Sequence, residues 1–160
     1  MSILVFDADG LIKVVQARIV GFIDHTCIIS QQVYNETVID GKKYFHNDAF
    51  EIENLILQKK IKIKNLEITE QIQSLGIGET STYYLFKKNK QGTIISDDRR
   101  FLHFLEQKNI PFIIPTELIV ALVKKKKLPL LEAHNALERI KQKVRKENYE
   151  RAVLALGGKK

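Results

Sequence analysis

Short runs of apolar and β-branched residues recur along the chain and alternate with longer segments in which apolar residues repeat at helical spacing. The runs fall at residues 3–6, 26–29, 93–95 and 112–114, and residues 61–65 alternate between apolar and polar positions. Continuous runs of this length are typical of strands buried on both faces of a parallel sheet. The intervening segments are long enough for the crossovers that parallel strands require. The pattern predicts an α/β protein with three layers, α/β/α, around a central, mainly parallel five-stranded sheet.

Local signals place several helix boundaries in this order of elements. Ser30 is predicted to cap a helix that carries Glu36, and residues 40–41, Asp-Gly, are predicted to end it. Another helix is predicted over residues 69–75. Pro129 is predicted to begin the last helix, which has an apolar face that extends to Val144.

The composition favours one globular domain with a C-terminal extension. The chain has 160 residues, of which 44% are hydrophobic, and no apolar run approaches the roughly 18 residues needed to cross a membrane. A single cysteine, Cys27, excludes an internal disulfide and suits a reducing compartment. The first residues lack the basic segment and the cleavage site of a signal peptide. We therefore expect a cytoplasmic protein without a membrane partner.

The net charge of +7 is concentrated near the end of the sequence. Residues 124–160 carry 12 lysines and arginines against 4 acids, whereas residues 1–123 carry 14 against 15. This asymmetry predicts a main domain over residues 1–123 and a basic helical extension over residues 124–160, packed on the same domain or trailing it. The run Lys124, Lys125, Lys126 and Lys127 suits a polyanionic partner such as RNA, although cations also favour the end of a helix without any partner.

Acidic residues follow the predicted strands. Asp7 ends the first strand, Glu36 lies in the helix that leaves the second, Glu79 begins a later helix, and Asp97 and Asp98 end the fourth strand. In a parallel sheet these positions share one edge, which is where such sheets bind ligands. Converging carboxylates repel one another, so we expect them to bind a divalent cation. Oxygen ligands favour Mg²⁺ or Mn²⁺, and the lack of converging histidines and cysteines argues against zinc.

The spacing of these motifs resembles that of the PIN domain family, and in particular its VapC-like group with a Gly-x-Gly-Glu motif. The resemblance covers about residues 2–123. The motifs that carry it are Val5-Phe6-Asp7, Glu36, Gly76-Ile77-Gly78-Glu79 and Ser96-Asp97-Asp98-Arg99-Arg100-Phe101.

This resemblance implies a PIN-like fold and a metal-dependent ribonuclease, the toxin of a toxin–antitoxin pair. It implies that Asp7, Glu79 and Asp98, with Asp97 as an alternative, hold Mg²⁺ or Mn²⁺. Glu36 completes the site or orients the attacking water, and hydrolysis leaves a 5′-phosphate and a 3′-hydroxyl. RNA is then the substrate, an antitoxin protein is a possible partner, and a homodimer is expected.

Several neighbouring residues are candidates for supporting roles. Ser96 is placed to hydrogen-bond a carboxylate of the cluster, and Arg99 or Arg100 to meet a backbone phosphate. Asp9 departs from the family pattern, which usually has Asn, Ser or Thr there. It is either an additional ligand or, as we expect, the cap of the following helix.

Two other functions stay open at this point. The segment Leu4-Val5-Phe6-Asp7-Ala8-Asp9-Gly10 also resembles the opening motif of haloacid-dehalogenase-like phosphatases, in which Asp7 would attack phosphorus. Leu11 and the lack of a separate lysine motif disagree with that family. The second alternative is a PIN domain that binds RNA or a protein partner without cleaving it.

Overall fold

A computed structural model describes residues 2–89 and 92–157 and confirms the predicted fold class. Five strands, all parallel, form one sheet in the order β3-β2-β1-β4-β5. The strands are β1 (Ile3–Phe6), β2 (Thr26–Ser30), β3 (Lys62–Lys64), β4 (Gly92–Ile95) and β5 (Phe112–Ile113). The three inner strands, β1, β2 and β4, are almost fully buried, which is why their sequences are mostly apolar.

Helices cover both faces of this sheet. They are α1 (Ala8–Gln16), α2 (Gln31–Tyr34), α3 (Asp40–Lys43), α4 (Asn47–Leu57), α5 (Ile77–Lys88), α6 (Arg99–Gln107), α7 (Pro115–Lys124), α8 (Leu130–Ile140) and α9 (Lys146–Ala155). Side chains of each strand alternate between two apolar clusters. Leu4 and Phe6 of β1 belong to the cluster shared with α1, α4, α7 and α8, whereas Val5 belongs to the one shared with α5 and α6.

The helix that carries Glu36 does not end at Asp40-Gly41 as predicted. Ser30 caps α2 as expected, because its hydroxyl accepts a hydrogen bond from the Val33 amide at 3.1 Å. The helix then continues through a π-helical stretch, Asn35–Ile39, into α3. Gly41 is buried against α4, and a Cβ there would lie 2.8 Å from the Cβ of Ala49. This glycine therefore serves close packing instead of a turn.

Two further segments differ from the sequence-based expectation. Residues 69–75 form a loop instead of a helix, and the side chain of Gln71 holds it by donating to the Leu75 carbonyl and the Thr80 hydroxyl, each at 2.8 Å. The predicted last helix is two helices, α8 and α9, joined by a 3₁₀ turn, Lys141–Lys143.

The two C-terminal helices, α8 and α9, pack on the helical layer that contains α1 and α7. Ala133, Ala136, Leu137 and Ile140 of α8 are buried, and Arg139 donates to the carbonyl of Ala17 at 3.0 Å. Most of the apolar face expected for the last helix is thus covered within the chain, although Leu131 at its start is exposed. Across residues 2–89 and 92–157, no helix combines the length and the apolar character that a membrane span needs.

Gly10→Ala is expected to destabilise the fold by about 1–3 kcal/mol or more. A Cβ at Gly10 would lie 2.2 Å from the carbonyl oxygen of Ile95, so α1 would have to move away from β4. Urea unfolding measures the loss. Gly21→Ala is the matched control, because nothing lies within 4 Å of a Cβ at that position. Equal effects of the two substitutions would contradict the close packing of α1 on β4.

Candidate active site

Asp7 lies at the carboxyl end of β1 and is almost completely buried, with 2% of the residue exposed. Its Oδ1 accepts a hydrogen bond from the Gly10 amide at 2.7 Å, so Asp7 is the N-cap of α1. Its Oδ2 accepts a bond from the Ser96 hydroxyl at 2.5 Å, as predicted for Ser96. Burial raises the pKa of Asp7 to about 8, although these two hydrogen bonds lower it; the charges of Asp9 and Glu79 raise it further.

Glu36 and Glu79 reach the same place from different helices. Glu79 lies in the first turn of α5, and its Oε1 accepts a hydrogen bond from the Gly76 amide at 3.0 Å. Glu36 projects from the π-helical stretch onto the backbone of Gly78, where a Cβ would lie 2.1 Å from its Oε1. Burial and the charges of Glu79 and Asp40 raise the pKa of Glu36, whereas a hydrogen bond from the Gly78 amide lowers it.

The two consecutive aspartates point in different directions. Asp98 caps α6, because its Oδ1 accepts a hydrogen bond from the Phe101 amide at 3.1 Å, and it lines the same cavity as Asp7. Asp97 does not line that cavity. Its Oδ2 lies 2.8 Å from Nζ of Lys13, and its Oδ1 is buried without a hydrogen-bond partner. The geometry thus favours Asp98 over Asp97 as the acid that serves the site.

Asp9 is not the helix cap that we expected, since Asp7 itself has that position. Asp9 lies in the first turn of α1 and lines the cavity, with Lys13 Nζ at 3.3 Å from its Oδ2. Burial raises the pKa of Asp9, and Asp97 and Asp98 raise it further, whereas Lys13 lowers it. Asp9 is therefore a member of the acidic group, partly neutralised by one lysine.

Lys13 is the residue of the site that the sequence analysis missed. Only 15% of its side chain is exposed, and its ammonium group bridges Asp9 and Asp97. Desolvation lowers the pKa of Lys13, but the hydrogen bond and charge of Asp97 and the charge of Asp9 outweigh it, so the pKa is raised. The spacing of four residues between Asp9 and Lys13 on a helix was the available signal.

The acids enclose a cavity of about 230 Å³. Its lining includes five carboxylates: Asp7, Asp9, Glu36, Glu79 and Asp98. Carboxylate oxygens are the ligand atoms that Mg²⁺ and Mn²⁺ prefer, so these side chains are of the chemical type that suits a divalent metal. A cation would also offset the cost of ionising the buried Asp7. Among the described residues no three acidic, histidine or cysteine side chains converge as they stand into a group that could hold an ion. Asp7, Glu79 and Asp98 each bond a helix amide instead.

The basic residues proposed to contact RNA fall into two separate places. Arg99 and Arg100 are exposed in the first turn of α6, and Nη2 of Arg100 lies 4.0 Å from Oε1 of Glu79 at the cavity. The run from Lys124 to Lys127 lies at the opposite edge of the sheet, because α7 begins after β5 and runs back past the strands. Lys127 there bonds Asp24, two residues before β2 begins.

Comparison with known proteins places this arrangement in context. Residues 3–154 match the model of a family described as PIN domain. No curated protein matches the chain.

Asp7→Asn is expected to stabilise the protein at pH 8 in the presence of a chelator, and to have little effect at pH 4. The carboxyl has an ordinary pKa of 3.8 in the unfolded chain and a pKa of about 8 in the folded protein. Since folding raises the pKa of this acid, the free energy of unfolding falls as the pH rises from about 4 to about 8. Asn keeps the shape without ionising, so the gain over the wild type should grow with pH and reach several kcal/mol at pH 8.

Urea unfolding of both proteins at several pH values measures this difference. Glu132→Gln, which changes a partly exposed carboxylate on α8, is the control for the loss of one negative charge. If the difference in the free energy of unfolding between Asp7→Asn and the wild type did not grow with pH, the ionisation of Asp7 would not destabilise the folded protein.

Proposed function

Since the chain belongs to the PIN domain family, whose members are typically nucleases, we propose that it is a metal-dependent endoribonuclease that hydrolyses RNA phosphodiesters. The observation that carries the proposal is the single cavity lined by Asp7, Glu36, Glu79 and Asp98. Four separate segments of the chain bring these acids to the carboxyl edge of the sheet. Folding alone does not call for this, because the burial of Asp7 raises its pKa far above the ordinary value.

Asp7, Glu79 and Asp98 are the residues that would hold Mg²⁺ or Mn²⁺. When bound, such a cation neutralises charge on the phosphate and lowers the pKa of a water molecule. Each of these three carboxylates now accepts a hydrogen bond from an amide at the start of a helix. Modest side-chain rotations would free the carboxylates to bind a cation. Ser96 keeps Asp7 in position through its hydroxyl and also accepts a bond from the Asp98 amide at 3.2 Å, which ties the two strand ends together.

Glu36 is suited to accept a proton from the attacking water, because its raised pKa makes it a better base than an ordinary glutamate. The water oxygen then forms the new bond to phosphorus, the bond from phosphorus to the 3′-oxygen breaks, and the leaving 3′-oxygen takes a proton from solvent. The products are a 5′-phosphate and a 3′-hydroxyl. The amino termini of α1, α5 and α6 meet at the cavity, and their amides favour the negative charge of the phosphate. Arg100 is placed to contact a neighbouring phosphate.

The phosphatase alternative leaves much of this cavity unexplained. It would use Asp7 as nucleophile and Asp9 as acid and base, whereas Glu36 and Glu79 would have no role. In the structure Asp9 faces Lys13, and both glutamates line the cavity with Asp7. The nuclease therefore accounts for more of the acidic side chains.

We also propose that the protein acts as the toxin of a toxin–antitoxin pair and forms a homodimer. The VapC-like resemblance of the Gly-x-Gly-Glu motif supports the first part. The apolar face of α8 no longer supports the dimer, because it is buried in the chain. Support comes instead from Ile39, Tyr44, Phe45 and Phe50 near α3 and α4, each at least half exposed. Apolar and aromatic side chains of this kind form the centres of protein interfaces.

RNA cleavage is the direct test of the nuclease. Purified protein incubated with structured and unstructured RNA should cleave it in Mg²⁺ or Mn²⁺ and not in EDTA. Asp7→Asn and Glu79→Gln should each lower the rate by about 100-fold or more, because each removes a charged ligand. Glu132→Gln should cleave at the wild-type rate.

The same assay separates the remaining alternatives. Loss of cleavage in EDTA and in both variants would support the metal nuclease and locate its site. Salt-sensitive RNA binding by all variants without any cleavage would favour a PIN domain that only binds. Full activity of Glu79→Gln with loss in Asp7→Asn would favour the phosphatase-like use of Asp7.

Gly78→Ala is expected to lower cleavage by about tenfold or more while the protein stays folded. The added Cβ would meet Oε1 of Glu36 at 2.1 Å, which is the end of a flexible side chain, so the carboxylate moves away and the backbone does not. Gly76→Ala is the matched control two residues earlier, because its Cβ would lie 3.8 Å from Glu79 Oε1, an ordinary contact.

Cleavage rates and thermal unfolding of both alanine variants test this expectation. Combining Gly78→Ala with Glu36→Gln should give little further loss if both act on the same carboxylate. Additive losses would show that Gly78 acts on the site by another route.

A further inference from the structure

Within the described residues, 2–89 and 92–157, ten lysines lie at the amino edge of the sheet, opposite the acidic cavity. Helices α5, α6 and α7 begin at the carboxyl edge and run back past the strands, so their ends lie at the amino edge; α4 ends there too, just before β3 begins. Helices α5 and α7 end in lysine, lysines follow the ends of α4 and α6 within two residues, and β3 begins with another. These residues are Lys59, Lys60, Lys62, Lys87, Lys88, Lys108, Lys124, Lys125, Lys126 and Lys127, which we call the lysine edge.

Two contacts bring members of the lysine edge from different helices to the same place. Nζ of Lys127, after α7, bonds Oδ2 of Asp24 at 3.1 Å. Asp24 also lines a cavity of about 320 Å³ together with Lys59, Lys60 and Lys62. The ends of α4 and α7 and the start of β3 therefore surround one short segment before β2.

Most of this charge is not neutralised within the chain. All ten lysines are exposed, and Lys127 is the one of these ten that forms an ion pair with another described residue. The acids beside these helix ends are Asp24 and Glu106. A cation at the end of a helix is favourable on its own, which explains one or two lysines per helix. It does not explain Lys125 and Lys126, which follow the last residue of α7, or Lys62, which is in a strand.

The composition of the lysine edge suits phosphates better than a protein surface. Protein interfaces are centred on apolar and aromatic side chains and are depleted in lysine, whereas nucleic-acid interfaces are strongly positive. The exposed aromatic rings of the described chain are Tyr44, Phe45 and Phe50, and none belongs to this edge. Two half-buried rings, Tyr83 and Phe104, lie beside this edge, and Lys87 and Lys108 lie over them. Cations arranged around an edge, with no exposed ring among its described residues on which bases could stack, match the regular backbone charge of a double helix.

We propose that the lysine edge is a second RNA-binding site, which holds double-helical RNA without cleaving it. The acidic cavity lies at the other edge of the sheet, so the duplex bound here is not the strand being cut. The target is then a folded RNA, in which a helical part binds the lysine edge and a single-stranded part reaches the cavity. Only this last step rests on the proposed nuclease function.

Binding of a 20-base-pair RNA duplex, followed by fluorescence anisotropy over a range of salt concentrations, tests the site. A triple variant, Lys124→Glu, Lys125→Glu and Lys126→Glu, should weaken binding by about tenfold to 100-fold and reduce the salt dependence. The matched control changes the same number of exposed lysines elsewhere: Lys141→Glu, Lys143→Glu and Lys146→Glu. It should weaken binding by less than about threefold, as expected for net charge alone.

Other readouts keep this test separate from that of the nuclease. Cleavage of a short single-stranded RNA should be the same in both triple variants and the wild type, since the lysine edge is remote from the cavity. If charge reversal disturbs folding, a second variant with Lys124→Gln, Lys125→Gln and Lys126→Gln repeats the test. Equal loss of duplex binding in the edge variant and the control would overturn the proposal, whether or not the protein cleaves RNA. Stronger binding of poly-glutamate than of duplex at equal charge would also overturn it, and would assign the edge to an acidic protein.

Discussion

An all-parallel sheet makes the two ends of this molecule chemically different. Because every strand runs in the same direction, α1, α2, α5, α6 and α7 begin at the carboxyl edge, and the helices that return across the sheet end at the other. Helix starts present free amides and favour carboxylates, and helix ends favour cations. The acids of the cavity and the lysines of the opposite edge follow the same rule. The number of each exceeds what the rule requires, and that excess indicates function.

Helix capping is what holds the carboxylates at the cavity. Asp7, Glu79 and Asp98 bond the amides at the starts of α1, α5 and α6. Each cap contributes about 1 kcal/mol to its helix, which offsets part of the cost of bringing like charges together. Asp7 shows that the offset is incomplete, because its pKa is raised although two hydrogen bonds lower it. The fold therefore carries a cost at this edge that a bound cation would relieve.

Sequence patterns predicted the sheet and the members of the acidic group, but not the contacts among them. The ends of strands can be predicted from apolar runs, and acids that follow parallel strands necessarily lie at the carboxyl edge of the sheet. The course of the backbone near Gly41 was not predictable, because a glycine that ends a helix and one that packs against Ala49 look the same in sequence. The same holds for Asp7 and Asp9, since both occupy positions at which acids cap helices. Likewise, a basic run shows its charge but not the edge at which its helix ends.

Lys13 explains how two consecutive aspartates come to have different roles. Successive residues after an extended strand project to opposite sides, so Asp97 and Asp98 cannot both face the cavity. Asp97 turns towards α1, where Lys13 neutralises it, and the same ammonium group reaches Asp9 at the margin of the cavity. One partly buried cation, Lys13, thus pairs with an acid that lines the cavity, Asp9, and with one that does not, Asp97. Among the described residues, this leaves Asp7, Glu36 and Asp98 without an ion pair, and Glu79 with only the exposed Arg100 at 4.0 Å. These are the four carboxylates whose charge a metal ion would balance.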